Sequence, residues 1–203
     1  MKSNSQQQLE NHLSNLEARW FAVYTSYKRE KVVASELHRK GVKHFLPLLP
    51  VTRRYKRKIR HQELPLINHY IFVKIRKQDY VPVLETPEVR GFVKFAGNLI
   101  AIPEAEIDIM RRVIGQRVEV EAKPTKFNKG DEVEIVSGQL TGMRGVLLER
   151  RGNKTFVVEL STMGYALHMQ IDPNLLRPCA PRGTNRSDNE STLSDTTSKT
   201  FKI

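Results

Sequence analysis

Apolar residues recur two apart in the stretch Lys129 to Leu160: Val133 and Ile135 on either side of Glu134, then Val146 and Leu148. That is the alternation of half-buried strands. Gly138, Gly142 and Gly145 fall where turns are needed, and each would cost about 1 kcal/mol relative to alanine inside a helix. Val157 to Leu160 adds a further apolar run after the turn at Arg151-Gly152-Asn153-Lys154. The pattern predicts a small antiparallel barrel over 129–179.

The region before it alternates between strand and helix patterns. Trp20 to Tyr24 reads as a strand and Lys28 to Lys40 as a helix closed by Gly41. Val33 and Leu37 lie on the apolar face of that helix, while Lys28, Arg29, Lys31 and Arg39 stay in water. His44 to Leu49 predicts a second strand, Asn68 to Ile75 a third, and Asp79 to Glu85 a short helix. Gly91 to Phe95 and Leu99 to Ile102 predict a hairpin around Ala96-Gly97-Asn98. Proline and acids at Pro103-Glu104-Ala105-Glu106 open another helix, which Gly115 closes. The expected organisation is therefore an α+β chain. It has a flexible arm over 1–18 with a short helix through Leu9, Leu13 and Leu16, a head over 19–115, a linker over 116–128, the barrel over 129–179, and a disordered tail over 180–203, which is rich in Ser, Thr, Asn and Gly.

Composition narrows the class. A chain of 203 residues with 39% hydrophobic content can bury a core of about 100 residues with a smaller domain beside it. Its one cysteine, Cys179, excludes an internal disulfide framework and a cysteine-rich zinc site. No apolar run approaches the ~18 residues of a membrane span, and the polar start lacks a signal-peptide core. The expectation is a cytoplasmic monomer with no membrane partner.

The net charge of +12 is unevenly placed. Arg19 to Gly115 holds 20 basic and 9 acidic residues, against 9 and 8 in Gln116 to Cys179. One domain is thus suited to a polyanion and the other to something else. The strongest polyanion signal is Thr52 to His61, where Arg53, Arg54, Lys56, Arg57, Lys58 and Arg60 surround Tyr55 and Ile59 with no acid between them. Such spacing puts cations on both faces of an extended ribbon, which would bind DNA or RNA with strong salt dependence and little sequence preference. The plainer alternative is a solvated hairpin. Lys28 and Arg29 form a second basic site, where an arginine can stack on or pair with an unstacked base, or be ordinary surface charge. Tyr70 and Phe72 alternate with Ile71 and Val73, which fits either an outward aromatic face or a strand with both faces in the core.

Catalytic readings find no support. His12, His38, His44, His61, His69 and His168 show no metal-ligand spacing, Cys179 has no neighbour to activate it, and no glycine-rich phosphate loop is present. The expectation is a binding protein with no enzymatic activity, cofactor or metal.

Gly130-Asp131-Glu132-Val133, Gly138, Thr141-Gly142 and Gly145-Val146 resemble the KOW motif of transcription and ribosomal proteins, and Met163 to Leu175 resembles the last strands of a NusG C-terminal domain. Trp20 to Tyr24, Ser26-Tyr27, Glu30-Lys31-Val32, Tyr70 to Val73 and Val89 to Val93 resemble the NusG N-terminal domain in sequence and spacing. The resemblance covers Arg19 to Cys179. It implies a ferredoxin-like α/β sandwich joined to an SH3-like barrel, in a transcription elongation and antitermination factor of the NusG and RfaH family. The specialised paralogues of polysaccharide operons, the UpxY-like proteins, are the nearest in kind.

That resemblance implies a set of roles. Tyr70 and Phe72, with Pro47 and Phe95 at the rim, would grip the clamp helices of the largest RNA polymerase subunit. Lys28 and Arg29 match the patch that reads non-template DNA in RfaH-type paralogues, and nascent RNA is a further candidate. Leu140 and Met143, in the loop between barrel strands, would recruit Rho or a small-subunit ribosomal protein, although Gln139-Leu140-Thr141-Gly142 lacks the aromatic residues often found there. The β pattern favours a permanent barrel over a C-terminal domain that switches to helix. A structural ribosomal or RNA-binding protein is the rival reading, and it would place basic charge on the barrel.

Overall fold

A computed structural model describes residues 9–55, 57–116, 119–124, 130–150 and 153–179. The first eight residues, Lys56, residues 117–118 and 125–128 of the expected linker, Lys129, residues 151–152 of the expected turn and the expected tail over 180–203 lie outside the described residues.

The head is built on β1 (Arg19–Thr25), which pairs antiparallel with both β5 (Tyr70–Ile75) and β6 (Val89–Phe92). A short β2 (His44–Phe45) adds to the outer edge of β5, giving the order β2-β5-β1-β6. Both faces of this sheet are covered. Phe21, Val23, Ile71, Val73 and Ile75 pack with Val33 and Leu37 of α1 (Glu30–Arg39) and Val83 of α2 (Tyr80–Leu84). Trp20, Ala22 and Phe72 face the other way, toward Ile107, Met110 and Val113 of α3 (Glu104–Ile114). Alternation along β1 and β5 thus feeds two apolar layers, as a strand covered on both sides requires.

Glu104 fastens these layers at one end. Its carboxylate accepts from Lys74 Nζ (2.7 Å), Trp20 Nε1 (2.8 Å) and Arg111 Nη1 (3.0 Å), so β5, β1 and α3 meet on one side chain. The Lys74 hydrogen bond does most to hold its pKa down at about 2; desolvation opposes it, and the hydrogen bonds of Trp20 and Arg111 with the Lys74 charge add to the lowering.

Between β2 and β5 the chain leaves the sheet as a two-stranded ribbon, β3 (Leu48–Tyr55) and β4 (Lys58–Pro65), paired in register from Leu48↔Pro65 to Tyr55↔Lys58. The single strand expected over His44 to Leu49 is therefore split at Leu46-Pro47, where Leu66 N–H donates to Pro47 O at 2.8 Å. Leu66 and Ile67 anchor the ribbon's base in the core.

The unit expected as a barrel, and called so below, is a six-stranded antiparallel sheet in the order β12-β8-β9-β10-β11-β7. Its strands are β7 (Val120–Pro124), β8 (Asp131–Ile135), β9 (Arg144–Arg150), β10 (Asn153–Leu160), β11 (Tyr165–Met169) and β12 (Leu176–Pro178). Gly138 and Gly142 adopt φ of +84° and +80° in the β8–β9 connection, as turn glycines do. Gly145 is different. It lies within β9, where a Cβ would stand 2.4 Å from Val157 O and 2.8 Å from the Phe156 ring, so its glycine serves close approach rather than a turn.

Three expectations are corrected. Residues 9–18 are not a frayed arm, and the helix through Leu9, Leu13 and Leu16 is not formed. Asn11 bridges Leu99 in parallel, Leu99 N–H donates to Glu10 O (3.0 Å), His12 N–H to Leu99 O (2.9 Å) and Lys77 N–H to Ser14 O (2.9 Å), while Leu13 packs against the α1 layer. Backbone pairing with the 98–101 segment outweighs weak helix propensity over so short a stretch. The hairpin expected over Gly91 to Ile102 shrinks to a Phe95–Asn98 bridge, because Leu99 is taken by the arm and Ile102 by Trp20. The stretch treated as linker contains β7, which pairs with β11 from Tyr165↔Pro124 to Met169↔Val120 and so belongs to the barrel sheet.

Candidate functional site

The face of the head that carries Tyr70 and Phe72 is not open. Phe72 is fully buried beneath the α3 layer, Pro47 is buried, and Phe95 is half-buried. Tyr70 is half-buried too, and it meets the barrel. Its ring lies 5.8 Å from that of Tyr165 on β11, at 72°. Partial burial, followed by the Coulombic and hydrogen-bonding influence of Tyr165, pushes the Tyr70 hydroxyl up to about 12. In this closed arrangement, the aromatic face of β5 resolves into a buried half, Phe72, and a covered half, Tyr70.

The β8–β9 loop is engaged as well. Leu140 and Met143 are each only 4% exposed and join the same apolar cluster as Ile107, Met110 and Val113 of α3. Arg112, on the last turn of α3, donates through Nη2 to Gln139 O (3.3 Å) and Thr141 O (2.8 Å), and Gln116 Nε2 donates to Gln139 Oε1. A second clasp lies on the first turn of α3, where Glu106 Oε1 accepts from Thr162 N–H at 2.9 Å while its Oε2 is buried without a partner. Helix α3 is thus held at both ends by backbone groups of the barrel. The surface expected to grip one partner is thus covered by β11, and the loop expected to recruit another is packed on α3.

The basic ribbon stands clear of this contact. Arg53, Arg54, Arg57, Lys58 and Arg60 are all exposed, as is Ile59, and Arg53 is directly opposite Arg60 in the register. Like charges facing across a strand pair destabilise it, so this ribbon is better suited to an anionic ligand than to standing alone.

Lys28 and Arg29 begin α1 at a distorted corner. Lys28, His69 and Glu88, none of them glycine, adopt φ of +55°, +68° and +69°. All three converge on the end of β1, where Thr25 N–H donates to His69 O (2.8 Å) and Ser26 N–H to Glu88 O (2.9 Å). Buried Glu30 accepts from His69 N–H at 2.8 Å, tying the β4–β5 loop to the start of α1. Arg29 pairs with Glu88 at 3.8 Å and Arg90 Nε donates to Ser26 Oγ at 2.8 Å.

Sequence reasoning missed Arg112, Glu106, Tyr165 and the rings of Tyr24, Tyr27 and His69. Only β7 had a readable signal, since Val120 and Ala122 alternate with Glu119, Glu121 and Lys123. Among the described residues no group of three or more His, Cys, Asp or Glu side chains is placed to hold a metal ion, and no helix is long and apolar enough to cross a membrane.

Comparison with known proteins places the head. Residues 18–111 match the family model described as "Transcription termination factor nusG". No curated protein is matched. Among solved structures, Thermotoga maritima NusG, in a study of its domain interaction, is 22% identical with a TM-score of 0.49, the match covering 82% of this chain and all of that one. Conformations A and B of the MjSpt4:Spt5 complex are 20% and 19% identical, with TM-scores of 0.26 and 0.27, covering 79% and 80% of this chain and 98% and 97% of theirs.

Proposed function

We propose that this chain is a non-enzymatic transcription elongation factor whose head binds RNA polymerase and nucleic acid and whose barrel recruits a second protein. The observation that carries the reading is the NusG family domain over 18–111. On this reading the head is the ferredoxin-like unit of that family and the barrel its SH3-like KOW unit. Tyr70 contacts the polymerase clamp helices, while Phe72 and Pro47 shape the face from beneath. The exposed ribbon and the Lys28–Arg29 corner contact DNA or RNA of the transcription bubble, disfavouring pausing and termination. The basic rather than acidic character of that corner supports an operon-specific role over a general one.

Tyr165 covers Tyr70, so polymerase binding requires the barrel to leave, and the same movement exposes Leu140 and Met143 for a ribosomal protein or Rho. The two binding events are then linked: each partner that takes its surface makes the other available.

Co-purification of the full chain with RNA polymerase tests this. Wild type should retain polymerase, Tyr70→Ala should reduce retention, and Tyr165→Ala, which uncovers Tyr70, should increase it. Failure of both wild type and Tyr165→Ala to bind would remove the reading. Equal binding by all three would remove only the role given to Tyr70.

A further inference from the structure

The ribbon of β3 and β4 is a two-stranded sheet of its own, paired with no strand of the head that it leaves and rejoins. At about 3.4 Å per residue its tip stands roughly 25 Å from its foot, so a swing of about 10° at the foot moves the tip by about 4 Å. Such a lever needs its direction set near the foot. Leu66 and Ile67 are buried in the core there, and Leu49 packs against the same cluster. Apolar contacts of this kind hold the foot in place but are non-directional.

Direction comes from the first turn of α1, where two consecutive residues reach the returning chain. Buried Glu30 accepts from His69 N–H at 2.8 Å, just beyond the ribbon. Lys31 Nζ donates to Glu63 Oε2 at 3.1 Å, on β4 itself. Among the described residues this is the one side-chain ion pair between ribbon and head. The charge pattern also singles Glu63 out. It is the only acidic residue in 48–65, where Arg53 to Arg60 holds six basic ones. Its register partner is Pro50, near the foot, so its carboxylate meets Lys31 and leaves the cations of the tip unneutralised.

We propose that Lys31 and Glu63 are positioning residues that aim the ribbon, holding its cationic tip in one orientation relative to α1. Their side chains are 54% and 62% exposed, so the pair biases the orientation without locking it. An exposed ion pair shifts such a balance by up to about fivefold. The ribbon is therefore aimed at rest and free to swing once its tip is engaged. This goes beyond the nucleic-acid reading and does not depend on it, because the aim is a property of the chain with nothing bound.

Distances between two spin labels on the full chain, measured by pulsed electron paramagnetic resonance, read the aim directly. One label goes on Ile59→Cys, exposed near the tip, and the other on Val81→Cys, exposed on α2, with Cys179→Ser removing the native thiol. At about 0.1 M salt the chain with Lys31 and Glu63 intact should give one dominant distance. Lys31→Ala and Glu63→Gln should each spread the distribution, the dominant distance falling by up to about fivefold against the rest. Exchanging the charges, Lys31→Glu with Glu63→Lys, should restore it, which lost packing alone would not allow. Raising salt to about 1 M shortens the screening length from about 10 Å to about 3 Å. The intact pair's distribution should then spread, while that of Lys31→Ala stays as it was. Identical distributions with and without Lys31, or a charge exchange as spread as the single variants, would overturn the proposal. No nucleic acid is present in these measurements, so such a failure leaves the nucleic-acid reading standing.

Discussion

Tyr70 on β5 and Tyr165 on β11 meet ring to ring across the boundary between head and barrel, 5.8 Å apart. The contact places an ionisable group at the joint. Burial, and then Tyr165, raise the Tyr70 pKa to about 12, so the neutral phenol favours the closed form. A group whose pKa is raised in one state stabilises that state fully below its ordinary value, ~10 for tyrosine, and the stabilisation is lost as pH rises through the raised value. Closure should therefore weaken between about pH 10 and 12. Absorbance titration near 295 nm checks this. One tyrosine should ionise late in wild type, and Tyr165→Phe, which removes the hydroxyl partner, should bring it earlier. An unchanged late phase in that variant would show that burial alone sets the shift.

Arg112 and Glu106 hold α3 to the barrel by different means, and their substitution should separate opening from unfolding. Arg112 is exposed, so losing its bonds to the Gln139 and Thr141 carbonyls should weaken docking by only about 1 kcal/mol, roughly a fivefold shift toward open forms. Glu106→Ala leaves the Thr162 N–H without its acceptor and should cost about 1–3 kcal/mol, whereas Glu106→Gln keeps a carbonyl oxygen there and should remain largely closed. Small-angle scattering would report opening as a larger radius of gyration with unchanged far-UV dichroism. A compact Glu106→Ala protein would mean that the apolar contacts alone hold the barrel in place.

Gly145→Ala should damage the barrel and spare the head. The added methyl would lie 2.4 Å from a backbone carbonyl and 2.8 Å from Phe156, which is fully buried, so strands β9 and β10 must separate to admit it. A cost of roughly 2–4 kcal/mol is expected. Thermal unfolding followed by near-UV dichroism should then show an early transition for the barrel and a later one involving Trp20, which lies in the head. A single transition at the wild-type temperature would contradict the close approach.

These residues show which features a sequence makes readable. Turn glycines and strand alternation are local properties, so the β8–β9 turn at Gly138 and Gly142 and the strands on either side were legible. Gly145 carries the same letter for another reason, because what requires it is a neighbouring strand rather than its own φ. Leu140 and Met143 expose the deeper ambiguity. An apolar loop residue waiting for a partner and one docked on another part of its own chain have the same composition, and only tertiary structure distinguishes them. The same holds for Phe72, whose alternation fits an outward face as well as a second core layer. The arm failed in the opposite sense: its polar composition argued for fraying, but its backbone groups found the 98–101 segment.

The ribbon offers the clearest electrostatic test of the nucleic-acid reading. Arg53, Arg54 and Arg57 are exposed and unpaired with any acid among the described residues, and Arg53 faces Arg60 across the ribbon. Each phosphate contact made to a single strand contributes about 0.7 to the slope of log affinity against log salt. Replacing all three arginines with glutamate should therefore flatten that slope by about 2 and weaken binding at low salt far more than at high salt. The fold should be unaffected, because the ribbon's base is anchored by Leu66 and Ile67 rather than by its tip. An unchanged slope would identify the ribbon as a solvated hairpin and leave the Lys28–Arg29 corner as the sole nucleic-acid contact.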